Sequence, residues 1–265
     1  MSVRILTSWA LLLLGTAAAA NAITFGEPDG TRHPYVGTIL FRTSEGYFSC
    51  TGTLLSPRVM LTAAHCVKDN LDTWVKFTST ISFPGLQGSI ITYLDNPANG
   101  WIRGAGTPHQ QYTGGYFQTF DVGVVVLAHP VSGLTTFGAL PPQGFLDGIL
   151  ASRRDRDNRF KVVGYGLQGF VPAFYTDIWE RYQADSRLIE LNSTFNSGHS
   201  AKFSNNPGNV RGGACYGDSG GPVFYAETNI VAAIVSWAIT PCIGVDYQFR
   251  IDTEVALDFV TPFLQ

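Results

Sequence analysis

The segment "CYGDSGGP" at 215–222 sets a serine, Ser219, among glycines. Glycines allow unusual backbone angles and let a ligand approach the chain closely. A Gly-Asp-Ser-Gly run is also an ordinary tight turn, so the serine carries chemistry only in company. The segment fits Gly-x-Ser-x-Gly, the nucleophile elbow of α/β-hydrolases, but that fold needs its histidine after the serine. The last histidine here, His199, precedes Ser219. A serine nucleophile requires a base within hydrogen-bond reach and a third group to orient that base. "LTAAHC" at 61–66 offers His65, which follows a strand-like run and precedes a cysteine able to pin its backbone. "FDVGVVVL" at 120–127 offers Asp121, which opens an apolar strand where a carboxylate would be costly without a partner.

These three groups lie far apart in sequence, so the fold must bring them together. Short apolar runs broken by turn residues begin at Gly37: "YVGTILF", "TGTLLS", "VMLTAAHC", "DVGVVVLAHP", "KVVGYG", "GPVFYA" and "IVAAIVSW" read as strands. The 29 glycines and 14 prolines agree with many strands and turns. Only the tail, "DTEVALDFVTPFLQ", has helical spacing, with Val255, Phe259 and Val260 on one face and Thr253 as its cap. "LPPQG" at 140–144 is a candidate linker, which predicts an all-β chain of two barrel-like halves, 23–140 and 141–265.

Composition narrows the function classes. Of 265 residues, 45% are hydrophobic and 14% charged, which describes a well-buried core. A net charge of −3 gives no electrostatic case for a nucleic-acid partner. The basic cluster Arg153, Arg154, Arg156, Arg159 is interleaved with Asp155 and Asp157 and reads as a solvated loop. Residues 1–22 read as a signal peptide: Arg4, the apolar "WALLLLG", and the small-x-small pattern Ala20-Asn21-Ala22. Removing them leaves 16 basic against 20 acidic residues, a net −4, and a secreted, extracellular chain without a membrane anchor. Four cysteines in an exported chain imply two disulfides, and Cys50–Cys66 with Cys215–Cys242 are the pairs that close the shortest loops among three possible pairings. No spacing suggests a metal, and His33, His109, His129 and His199 stand alone. Asp69 and Asp72 read as a polar loop rather than a calcium site, and Asn192-Ser193-Thr194 is a glycosylation sequon.

"TAAHC", "DVGVVVL" and "CYGDSGGP", in that order and widely spaced, resemble the trypsin/chymotrypsin-like serine proteases over nearly the whole mature chain. The resemblance implies two six-stranded antiparallel β-barrels with a short C-terminal helix. It implies a serine endopeptidase working through an acyl-enzyme, with Ser219 as nucleophile, His65 as general base and then acid, and Asp121 orienting the imidazole. The N–H groups of Gly217 and Ser219 would form the oxyanion hole. "SCTGTLL" before His65, and Cys242 after "SWA" at 236–238, support the two short-loop disulfides. No cofactor is implied. The implied partners are protein or peptide substrates and protein protease inhibitors, and the implied state is a monomer.

The pocket departs from the trypsin branch. Gly213, followed by Ala214, stands six residues before the nucleophile, where that branch has an aspartate. Ser236 resembles the serine beside the triad aspartate, Trp237 the tryptophan of the substrate strand, and Ala238 replaces the usual glycine. In "CIGVDYQFRID", Asp246 faces the pocket if Arg250 sets the alignment, and Val245 does if Tyr247 sets it. "ITFGEPDGTRHPYVG", from Ile23, resembles the family's mature start, 42 positions before His65. Signal removal would then itself activate the enzyme, its new ammonium pairing with Asp218. The alternative function is a protease-fold binding protein that has lost catalysis, against which stand the intact triad and oxyanion-hole types.

Overall fold

The computed structural model describes residues 23–114, 119–152, 154, 157–171, 174–176, 179–191, 198–206, 208, 212–238 and 242–265. The expected signal peptide, the sequon at 192–194, and Arg153, Asp155 and Arg156 lie outside them.

Six strands of the first half close into a barrel. They are β2 (Val36–Arg42), β3 (Tyr47–Leu54), β4 (Val59–Thr62), β5 (Asp72–Lys76), β6 (Ile102–Pro108) and β7 (Gly123–Leu127), in the order β2-β3-β4-β7-β6-β5, after a short β1 (Glu27–Pro28). Their inward side chains, such as Ile39, Leu61, Trp74 and Val124, are fully buried. Closure removes the exposed sheet edge that such short strands would otherwise present.

The second half is an eight-stranded sheet rather than a second closed six-stranded barrel. Its strands are β8 (Phe160–Gly164), β11 (Tyr182–Ser186), β12 (Leu188–Glu190), β13 (Ser200–Asn205), β14 (Pro222–Tyr225), β15 (Val231–Ala238) and β16 (Gly244–Arg250), with β1 as the eighth. A separate two-stranded hairpin joins β9 (Gly169–Val171) to β10 (Phe174–Thr176). β1 joins by pairing with β11, so the amino-terminal segment is built into the second sheet. The all-β class and the C-terminal helix, α3 (Glu254–Val260), are as the sequence implies. Thr253 Oγ1 caps that helix by accepting from Ala256 N–H at 3.3 Å. Helical spacing is not confined to the tail: α1 (Ile90–Leu94) and α2 (Phe145–Ser152) also form. Both are short, and α2 carries Gly148 in its middle, so neither has a periodic stripe long enough to stand out.

A buried polar junction ties the halves together. Arg181 donates to Asp29 Oδ2 at 2.6 Å, to the carbonyls of Val36 (3.0 Å) and Gly30 (2.7 Å), and to Tyr165 Oη (3.1 Å). Tyr165 in turn donates to the carbonyl of Thr78 at 2.7 Å.

Candidate active site

The pairing of β4 with β7 sets Leu61 opposite Val124 and Thr62 opposite Gly123. That register carries His65, on the turn after β4, beside Asp121, just before β7. The disulfide Cys50–Cys66 ties this turn to β3, with Cα atoms 6.1 Å apart. Asp121 is fully buried, and its charge is met from three directions. His65 Nδ1 lies 2.9 Å from Oδ2, the His65 backbone N–H donates to Oδ1 at 3.0 Å, and Ser236 Oγ donates to Oδ2 at 2.6 Å. An Nδ1–H donated to the carboxylate leaves Nε2 as the basic nitrogen. Burial pushes the His65 pKa down, but the charge of Asp121 and its hydrogen bond push harder, and the net direction is upward.

Ser219 arrives from the other half, on the loop before β14. Thr51 of β3 holds that loop: its N–H donates to the Ser219 carbonyl (2.8 Å) and its Oγ1 to the Gly217 carbonyl (3.0 Å). Ser219 and His65 line one cleft between the halves. Gly217 has φ +97°, and a Cβ there would lie 2.8 Å from Gly166 Cα, so only glycine fits. Among the described residues, neither the Gly217 nor the Ser219 N–H donates to any acceptor. Two free backbone donors beside a serine hydroxyl are able to stabilise an oxyanion.

Behind the loop, Asp218 is fully buried. Its Oδ1 accepts from Gly166 N–H (2.8 Å) and its Oδ2 from Cys215 N–H (2.9 Å). A Cβ on Gly166 would strike the carboxyl at 2.6 Å, so the glycine is what lets the backbone close on it. Burial raises its pKa to about 7; the two N–H bonds oppose the rise and the charge of Asp246 adds to it.

The family model described as Trypsin matches residues 25–260. The chain belongs to the trypsin family. Among solved structures, HL collagenase superposes on the trypsin-family domain with a TM-score of 0.70 at 18% identity, over 91% of this chain and 98% of that one. GrC gives 0.65 at 17% identity, over 90% and 98%. Human heparin binding protein gives 0.63 at 17%, over 91% and 96%. Likeness at such identities speaks for the fold.

Within the trypsin-family domain, the pocket residues gather around β15 and β16. Ser236, Trp237 and Ala238 edge the cleft, as does the second disulfide, Cys215–Cys242. Trp237 pairs with Tyr247, their rings stacked 4.1 Å apart, and Ala238 pairs with Asp246. Asp246 turns toward Gly213 and Ala214, the orientation expected when Arg250 sets the alignment. Its carboxylate is fully buried: Oδ2 accepts from Ala214 N–H at 2.7 Å and Oδ1 from Asn205 Nδ2 at 3.0 Å. Burial raises its pKa to about 7 against these two bonds. Gly213, Ala214 and Asp246 therefore sit beneath the cleft rather than among its lining residues.

Ile23 is fully buried with φ +51°, an uncommon angle for a β-branched residue. Thr24 forms an antiparallel bridge with Gly213, and its hydroxyl donates to Asn205 Oδ1 at 2.9 Å. Asp72 is no cation ligand in waiting, because Arg42 and Arg103 both donate to it. Among the described residues, the His/Cys/Asp/Glu atoms close enough to share an ion belong to Cys50, His65 and Cys66, and both sulfurs are spent in the disulfide. No helix among the described residues is long and apolar enough to cross a membrane.

Two residues of the site went unnoticed in the sequence. Asn205 links Thr24, Cys242 and Asp246. Gln248 is fully buried and its Oε1 accepts from Ser236 N–H at 3.2 Å. The only available signal was an amide inside an apolar strand pattern.

Proposed function

We propose that the chain is a secreted serine endopeptidase acting through His65, Asp121 and Ser219. The observation that carries this is the buried Asp121 carboxylate, satisfied by His65 and Ser236, with His65 and Ser219 facing one cleft. His65 Nε2 takes the proton as Ser219 Oγ attacks the scissile carbonyl, and Asp121 steadies the imidazolium. The Gly217 and Ser219 N–H groups receive the oxyanion. His65 then passes its proton to the leaving nitrogen, which departs as an amine. Water, activated by the same imidazole, hydrolyses the acyl-enzyme. In this reading 23–140 supplies the base and its orienting acid, and 141–265 the nucleophile and the pocket. The substrates are proteins or peptides, protein inhibitors bind the same cleft, and the enzyme works as an extracellular monomer.

Removal of residues 1–22 also activates the enzyme in this reading. Cutting before Ile23 abolishes its φ, and with it the strain of a left-handed isoleucine. The cut also creates an ammonium on a segment already bridged to Gly213, two residues from the Cys215 N–H that binds Asp218. Asp218 is buried without a cation among the described residues, so an ammonium there meets an unanswered charge.

A fluorophosphonate serine probe tests the central assignment. The secreted protein should label and its Ser219→Ala form should not. Failure of the native protein to label would favour a binding protein on a protease fold.

A further inference from the structure

We propose that the arm of the cleft beside His65 binds the half of the substrate that leaves with the new amino terminus, and selects large uncharged side chains there. This rests on the endopeptidase reading and adds to it a substrate class.

The geometry follows from where the proton must go. His65 delivers its proton to the leaving nitrogen, so the leaving half runs past His65 while the carbonyl oxygen points to Gly217 and Ser219. The cleft encloses about 750 Å³ and has two arms. One is edged by Ser236–Ala238 and the Cys215–Cys242 disulfide, the other by the β2–β3 hairpin that carries Cys50, the disulfide partner of the residue after His65. The leaving half therefore lies along the hairpin.

That arm is apolar throughout. Phe41 and Phe48 are cross-strand partners with rings stacked 5.8 Å apart, and Phe48 remains 45% exposed. Across from them Phe83 packs between Trp101 and Trp179, at 5.8 and 5.7 Å. Phe83, Trp179 and the hairpin aromatics face the same space. Among the described residues, no Asp, Glu, Lys or Arg lines the cleft. A charged side chain entering it would lose hydration and find no partner, whereas an aromatic or branched aliphatic one would exchange water for carbon. Phe48 also lacks a structural duty that would explain a large aromatic held half in solvent, and apolar surface gathered at a cleft marks a binding site.

Acyl transfer reads this arm directly. An activated acyl ester loads Ser219 without occupying the leaving-group side. An added amino-acid amide then attacks the ester carbonyl: the new amide bond forms, the Ser219 Oγ–C bond breaks, and His65 moves the amine's proton to Oγ. Competing phenylalaninamide, leucinamide, glycinamide and aspartamide for one acyl-enzyme gives ratios independent of how fast it forms. Phenylalaninamide and leucinamide should beat glycinamide by roughly tenfold or more, the scale on which apolar pockets discriminate. Aspartamide should fall below glycinamide. Phe48→Ala should reduce the phenylalaninamide-to-glycinamide ratio several-fold. Equal capture of all four amides, or a preference for aspartamide, overturns the inference while leaving the endopeptidase reading intact. No acyl-enzyme from any of a panel of esters overturns both.

Discussion

Retaining one residue, Ala22, ahead of Ile23 should convert Asp218 from an asset into a pH-dependent liability. In the uncut chain its carboxyl sits fully buried on two backbone N–H bonds, with its pKa raised from 3.8 to about 7. At about 1.4 kcal/mol per pH unit, ionising it in place costs about 4 kcal/mol more than in the unfolded chain. The folded pKa is the higher one, so the folded state holds its proton longer. Stability is therefore full below about pH 4 and is lost progressively as pH rises to about 7. A free Ile23 ammonium would pair with the carboxylate, lower its folded pKa and abolish that loss. The test is urea unfolding of two Ser219→Ala proteins, one starting at Ile23 and one at Ala22, across pH 4 to 7.5. The Ala22 form should fall behind as pH rises, by up to about 4 kcal/mol at pH 7.5. Asp246, also raised to about 7, is present in both, so the difference reports mainly on Asp218. Parallel curves would refute the pairing, as would full activity of the Ala22 form in the native-serine background.

Hydrolysis of a peptide substrate should fail on the acid side with a midpoint above the ordinary histidine value of 6.5. The net effect of burial and the stronger pull of Asp121 is to raise the His65 pKa, and the protonated imidazole is no base; a limb below 6.5 counts against the geometry. Asp29→Ala should cost about 3–5 kcal/mol in urea unfolding, because it strips the buried Arg181 of its carboxylate; a loss under about 1 kcal/mol means the pair is dispensable. Substrates differing only at P1 should favour apolar side chains over Arg and Lys, since both Asp246 oxygens are already engaged. A strong Arg or Lys preference that vanishes in Asp246→Asn would refute that.

What the sequence could reveal depended on how local each feature is. Ser219 with its glycines, His65 before a cysteine and Asp121 at a strand start are each defined within a few residues, and their order is enough to exclude an α/β-hydrolase. Arg181 and Asp29 are 152 positions apart, and an arginine or aspartate is by default a surface residue, so nothing local marks a buried pair. The eight-stranded second sheet was hidden for the same reason. Its extra strand is a two-residue piece from the amino terminus, too short to show alternation.

The direction of Asp246 shows most clearly why pattern alone stops short. Along β15 and β16, Val235 pairs with Gln248 and Trp237 with Tyr247, so Ser236 stands opposite no residue of its own. This is a β-bulge, and one extra residue reverses the facing that simple alternation assigns to everything beyond it. Past the bulge, Trp237 and Tyr247 stack on one face while Asp246 turns to Ala214 on the other. The bulge also re-aims Ser236. Its N–H reaches Gln248 Oε1 rather than a strand carbonyl, and its hydroxyl reaches Asp121 at 2.6 Å. A single inserted residue thus does two things that no reading of period two could couple: it sends the Asp246 carboxyl beneath the cleft and supplies a hydroxyl to the carboxylate that steadies His65.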